Sequence, residues 1–143
     1  MSIEIKEGTI KTVVQLSKEI DEFHNPHDEL EYQKRLTNVP HLILVAYMDG
    51  KPVGFKVGYE RSGQFYSWMG AVLKDYRRKS VAKTLAVHQE SWARQQGYRS
   101  VTFKTRNRLK GMLIFSIRNG FQIIEVEKRA DIGESRILLR KDL

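Results

Sequence analysis

Val72-Leu73-Lys74-Asp75-Tyr76-Arg77-Arg78-Lys79-Ser80-Val81-Ala82-Lys83-Thr84-Leu85 is the stretch on which the fold turns. Up to Leu73 the chain reads as strand. Residues 74–80 are polar and mostly basic, as a loop is. From Val81 the period changes to helical: Val81, Leu85, His88 and Trp92 fall on one stripe, with Ala82, Ala86 and Ala93 beside it. Gly97 is a natural C-cap for a helix of about four turns. A strand that feeds a helix through a basic loop leaves free N–H groups and the positive end of a helix dipole at the turn, so the turn can hold an anion. Arg77, Arg78, Lys79 and Lys83 would add charge there. The stretch has neither a P-loop lysine nor a dinucleotide-binding glycine triplet.

Working outward, Ile3 to Glu7 alternates as a half-buried strand. Thr9 can cap a helix with Ile10, Val13, Val14, Leu16 and Ile20 along one face, and Asp28 a second, short helix to about Leu36. His41 to Met48 is an apolar strand, Asp49-Gly50 a two-residue hairpin turn, and Pro52 to Arg61 the return strand. Ser62-Gly63 turns the chain into Gln64 to Leu73. On the other side of the decisive stretch come a strand (Arg99 to Thr105), a helix (about Arg108 to Asn119, stopped by Gly120) and a last hairpin (Phe121 to Lys128 and Ser135 to Lys141). The order is β-α-α-β-β-β-α-β-α-β-β. It predicts an α/β (α+β) fold: a mixed, mostly antiparallel sheet of about six or seven strands with helices on both faces. No linker or repeat divides the chain, so one domain over 1–143 is expected.

Composition narrows the function classes. Apolar residues are 41% and charged residues 29% of the 143, the balance of a globular chain and not a disordered one. There is no Cys, hence no disulfide, thiolate metal site or cysteine nucleophile. Apolar runs are too short to span a bilayer, and the N-terminus has no signal-like stretch, so a cytoplasmic location without membrane contact is expected. Net charge is +8, and it is uneven: residues 74–118 hold twelve Lys or Arg against two acids. Such a half suits an anionic partner, either nucleic acid or a phosphorylated cofactor.

Arg77-x-x-Ser80-x-Ala82 resembles the acyl-CoA signature of the GNAT acetyltransferases, R/Q-x-x-G-x-G/A, with Ser80 at the place of a glycine. Val72 matches the family's strand-end valine. Trp92 to Tyr98, Val101 to Thr105 and Met112 to Phe121 resemble its helix end, next strand and last helix. The resemblance implies a GNAT-like fold and transfer of an acetyl group from acetyl-CoA to a small-molecule or peptide amine in a ternary complex. It implies that backbone of Val72 holds the pantetheine arm and that backbone from Arg78 through Ser80, Val81, Ala82 and Lys83 to Thr84 holds the pyrophosphate. Asn107, Met112 and Phe115 would face the pantetheine or acetyl end. Where members often have a proton-donating Tyr, this chain has Ser116, a poor acid near neutral pH. Ser80 is compatible with close phosphate approach if its φ is negative. Glu60 is the candidate base, with Glu31 and His24 as others and a water relay as an equal alternative. Two readings stay open: an acyl-CoA-binding module without catalysis, and a nucleic-acid-binding domain. The second is disfavoured, because no nucleic-acid signature appears. A homodimer is allowed.

Overall fold

The computed structural model describes residues 2–143. Eleven elements follow one another: β1 (Ile3–Glu7), α1 (Ile10–Ser17), α2 (Glu29–Leu36), β2 (His41–Met48), β3 (Lys51–Arg61), β4 (Gln64–Val72), α3 (Val81–Gln95), β5 (Ser100–Arg106), α4 (Lys110–Arg118), β6 (Gln122–Glu127) and β7 (Arg136–Asp142). Short 3-10 turns at Lys74–Tyr76 and Ile132–Glu134 complete the chain. The expected order is the observed one. The strands form one seven-stranded sheet in the order β1-β2-β3-β4-β5-β7-β6, antiparallel except at β4–β5.

The turns that set the register are those the residue types demand. Asp49 and Gly50 (φ +51° and +79°) and Ser62 and Gly63 (φ +53° and +77°) take the paired left-handed conformations of tight hairpins. The helices begin at their caps: Thr9 accepts from the Thr12 N–H and Asp28 from the Glu31 N–H.

Two cores sandwich the sheet. On one face α1 and α2 bury Val13, Leu16, Tyr32 and Leu36 against Val45, Phe55 and Val57. On the other, α3 buries Val81, Leu85 and Ala93 against Leu42, Val53, Phe65 and Val101. Each large apolar side chain so buried contributes roughly 1.5–3 kcal/mol. The fourth helix is different, because Ser116 is its one buried residue and Met112, Ile114 and Ile117 remain exposed.

The feature that matters for function is a split. β4 and β5 pair only at Phe65↔Val101 and Tyr66↔Thr102. Beyond Tyr66 the two parallel strands part, and β4 from Ser67 to Val72 has no ladder to β5. At the same level β4 carries a bulge: Gly58 faces Ser67 and Val57 faces Met69, so Trp68 is the extra residue. The extra residue resets the alternation, so that the consecutive Trp68 and Met69 both pack on the face of α1 and α2.

Candidate active site

The loop expected to bind an anion has the geometry of a cradle. The Arg77 N–H closes the 3-10 turn on the Lys74 carbonyl, and the Thr84 N–H closes the first turn of α3 on Ser80. Between them, the N–H groups of residues 78–83 find no acceptor among the described residues. Ser80, the N-cap of α3, makes no capping bond with its side chain. Arg78 and Ser80 both take left-handed backbone, at φ +61° and +67°. The condition set for Ser80, a negative φ, is thus not met. A non-glycine residue there costs about 1–2 kcal/mol, and alternating handedness turns successive N–H groups into one concavity. Strain of this kind, next to an uncapped helix start, fits a phosphate-binding cradle better than a purely structural loop.

The side chains divide differently from expectation. Arg77 does not line the cradle: its Nε donates to the Val72 carbonyl at 2.9 Å and its two terminal nitrogens hold the Glu22 carboxylate at 2.8 and 3.0 Å. It ties the end of β4 to the loop after α1. That hydrogen bond holds the Glu22 carboxyl below the usual range. Of the Val72 backbone groups expected to meet the pantetheine arm, the carbonyl is therefore already bonded within the chain. Lys83 turns to the Asn119 side chain and links α3 to α4. Val81 is buried, so it offers only backbone, and the Thr84 hydroxyl donates back to the Ser80 carbonyl. The cations left at the cradle are Arg78 and Lys79, the latter 5.9 Å from the Tyr76 ring.

The residues expected at the acetyl end are held in place by bonds of their own. The Asn107 N–H donates to the Ser135 carbonyl at 2.8 Å, and its side chain contacts the Ile132 carbonyl and Lys110, which fixes the β5–α4 loop to the β6–β7 turn. On α4, Met112 is exposed and Phe115 half-buried. Ser116 is 3% exposed and its hydroxyl donates to the Met112 carbonyl at 2.8 Å, an ordinary helical back-bond that leaves no proton aimed at a ligand.

Glu60, the candidate base, lies at the closed end of the sheet, opposite Phe65 and seven residues before the end of β4 at Val72, on the face of α3. Its carboxylate accepts from the Tyr98 hydroxyl at 2.9 Å; burial and that bond push Tyr98 up to about 12. Glu31 is engaged by Arg35 at 2.7 Å and His24 is an exposed loop residue.

Sequence reading missed two features of the split. Lys56 of β3 lies on the α3 face with its stem against Gly70: a Cβ added to Gly70 would be 3.5 Å from Lys56 Cγ. The residue keeps some exposure while protein surrounds its ammonium end, and this burial pushes it down to about 8 against a weaker pull from Glu90. On the other face Trp68 packs in an aromatic group with Tyr32 (4.8 Å), His27 (5.2 Å) and Tyr59 (5.9 Å). Bulge position leaves no mark in a single sequence, and Lys56 read as one more surface cation. Among the described residues no group of His, Asp or Glu is placed to hold a metal ion, and no helix is long and apolar enough to cross a membrane.

A sheet split thus lies beside a strand-to-helix cradle, and comparison with known proteins shows the family that shares this fold. The model of the acetyltransferase (GNAT) family matches residues 10–121, and the chain belongs to that family. Its fold is similar to that of the ribosomal-protein-S18-alanine N-acetyltransferase from Escherichia coli (TM-score 0.85, 14% identity, covering 99% of this chain and 94% of that one). It is also similar to PaiA N-acetyltransferase from Thermoplasma acidophilum, in complex with coenzyme A (TM-score 0.79, 18% identity, 100% of both chains). A third similar structure is a GNAT family acetyltransferase from Elizabethkingia anophelis with acetyl-CoA bound (TM-score 0.78, 19% identity, 99% and 98% covered). No curated protein matches the sequence.

Proposed function

We propose that the protein transfers an acetyl group from acetyl-CoA to the nitrogen of an amine by direct attack. The observation that carries this reading is the cradle: six consecutive N–H groups without acceptors, from left-handed Arg78 through left-handed Ser80 into an uncapped helix start. Family membership and the two related structures with CoA or acetyl-CoA support it.

In this reading the N–H groups of residues 78–83 hold the pyrophosphate, with Arg78 and Lys79 adding charge. The backbone of β4 past Tyr66 lies along the pantetheine arm, where β5 has moved away. Bound acetyl-CoA supplies the acetyl thioester. The amine nitrogen bonds to the acetyl carbon, the carbon–sulfur bond breaks, and CoA leaves as thiolate. An alkyl amine of pKa ~10.4 is about one part in a thousand neutral at pH 7.4, a cost of about 4 kcal/mol. Glu60 accepts from Tyr98 and the Ser116 hydroxyl donates to the Met112 carbonyl, so in this reading the proton of the amine passes to water, and the rate rests on proximity and on backbone N–H groups polarising the thioester oxygen. A CoA thiol near the ordinary thiol value of ~8.5 can leave without a side-chain acid.

The test is release of CoA thiol from acetyl-CoA with a library of small amines and peptide N-termini. At least one amine should accelerate release well above hydrolysis, with an N-acetyl product by mass. Binding of acetyl-CoA without turnover on any amine would favour the non-catalytic acyl-CoA module.

A further inference from the structure

On the α3 face of the split stands a cation that makes no ion pair. Phe55 and Val57 of β3 join the core under α1 and α2, so Lys56 between them points to the α3 face. Its partner on β4 is Gly70, which lies within Ser67–Val72, the stretch that β5 leaves unpaired. Because Gly70 has no side chain, the Lys56 stem leans onto β4: a Cβ on Gly70 would stand 3.5 Å from its Cγ and 3.8 Å from its Cα. The residue is largely covered, yet its ammonium has neither a hydrogen bond nor a carboxylate within 4 Å among the described residues. On this side α3 adds two buried polar residues. The Gln89 amide nitrogen has no partner, and the Glu90 carboxylate is held by Lys141 of β7 at 2.8 Å. A covered, unpartnered ammonium costs the fold free energy, and the backbone it leans on is the stretch of β4 open to a ligand.

In the acetyltransferase reading that stretch carries the pantetheine arm. Gly70 is two residues from the bulged Trp68, about 7 Å along the strand. The thioester is the end of the arm farther from the cradle, so it would lie at this level. Ser116, where the family's acid often stands, has its proton engaged by the Met112 carbonyl, whereas the protons of Lys56 are free.

We infer that Lys56 is the proton donor to the CoA sulfur. As the bond from sulfur to the acetyl carbon breaks, an N–H bond of the ammonium breaks and an S–H bond forms, and neutral Lys56 recovers its proton from water. The inference rests on the acetyltransferase reading and adds a catalytic residue to it. Burial pushes Lys56 down to about 8, close to the ordinary thiol value of ~8.5, so the transfer is nearly balanced and the acid reloads near neutral pH. The charged groups facing it are Glu90 of α3 and, bonded behind it, Lys141 of β7; Leu44 and Gly70 flank it across the sheet without charge. Glu60, farther along the same face of β3, is bonded to Tyr98.

Two measurements test it. The first is placement and needs no turnover: reductive methylation of lysines, read peptide by peptide by mass spectrometry. Lys56 should be labelled in the free protein and protected by saturating CoA. A Lys56 that is inert in the free protein, or labelled equally with CoA bound, overturns the inference. The second is the pH profile of acetyl transfer to an amine accepted in the library above. Lys56→Met should lower kcat by about tenfold or more, with KM for acetyl-CoA nearly unchanged. Parent kcat should fall on the alkaline side through the Lys56 value, and that fall should be absent from Lys56→Met. Lys56→Arg keeps the charge without a transferable proton, so it should be as slow as Lys56→Met. Parental kcat in Lys56→Met, or rescue by arginine, overturns the proton transfer. Failure of CoA to raise the melting temperature is a separate result and removes the acetyltransferase reading itself, whereas CoA binding that leaves Lys56 unprotected removes this inference alone.

Discussion

Ser80 shows how one residue can resemble a family pattern and still behave differently from it. Its φ of +67° is a conformation that a glycine takes without strain. The left-handed penalty of about 1–2 kcal/mol is offset by about 0.5–1 kcal/mol of glycine's extra chain entropy. Ser80→Gly should therefore stabilise the protein by on the order of 1 kcal/mol and leave acetyl-CoA affinity equal or better. A lower melting temperature would refute the strain account, and a clear loss of affinity would show that the hydroxyl itself is a ligand. Lys56 is a second case, visible only in three dimensions. Burial lowers its pKa from 10.5 to about 8, so the folded state disfavours its charge. The sign follows: the penalty is full below pH 8 and fades as pH rises toward the unfolded value. Lys56→Met should then be more stable than the parent near neutral pH, by up to about 3 kcal/mol, and the gap should close between pH 8 and 10.5. Urea melts of both proteins at several pH values measure it, and a gap independent of pH would refute the burial account. Ser116→Ala removes only a back-bond to Met112. Its acetyl-transfer rate should stay within tenfold of the parent, against the ~10²-fold or greater loss expected for a general acid.

At the scale of elements, the loop into α3 is held by a contact that the sequence does not announce. Arg77 and Glu22 are 55 positions apart, and nothing local joins them. Yet Arg77 clamps the β4 terminus through the Val72 carbonyl and anchors the loop through Glu22. Glu22→Gln touches no proposed ligand contact, so its effect reports positioning alone. It should weaken acetyl-CoA binding by a few-fold, and the parent's advantage should be present above the ordinary glutamate range and lost as pH falls through the depressed Glu22 value. Both partners are more than a third exposed, so solvent screening keeps the effect small. Unchanged affinity in Glu22→Gln would mean that the loop is set by its own backbone. The elements themselves were legible because their signals are local: Thr9 and Asp28 as caps, Asp49-Gly50 and Ser62-Gly63 as turns, and the change of period at Val81. Side-chain destinations were not. Arg77, Lys83 and Glu60 are bonded to Glu22, Asn119 and Tyr98, partners that topology alone brings near.

At the scale of the molecule, one departure from regularity organises the function. A sheet that pairs through seven strands comes apart between β4 and β5 after a two-residue parallel contact, and a bulge at Trp68 sits at the parting. Order, handedness and the basic half of the chain pointed to this region, because a strand–helix–strand crossover places the helix start at the strand end. The split and the bulge were not legible, since both depend on which strands fail to pair. The account stands or falls on whether the cradle at the start of α3 binds acetyl-CoA. Thermal melting in increasing acetyl-CoA tests it most directly. At a hundred times Kd, binding adds about 2.7 kcal/mol, a rise of roughly 5 to 10 °C for a chain of this size, and Arg78→Glu or Lys79→Glu should shift the dose dependence to higher concentration. A melting curve that does not move at millimolar acetyl-CoA, or moves equally in both charge-reversed variants, would contradict it.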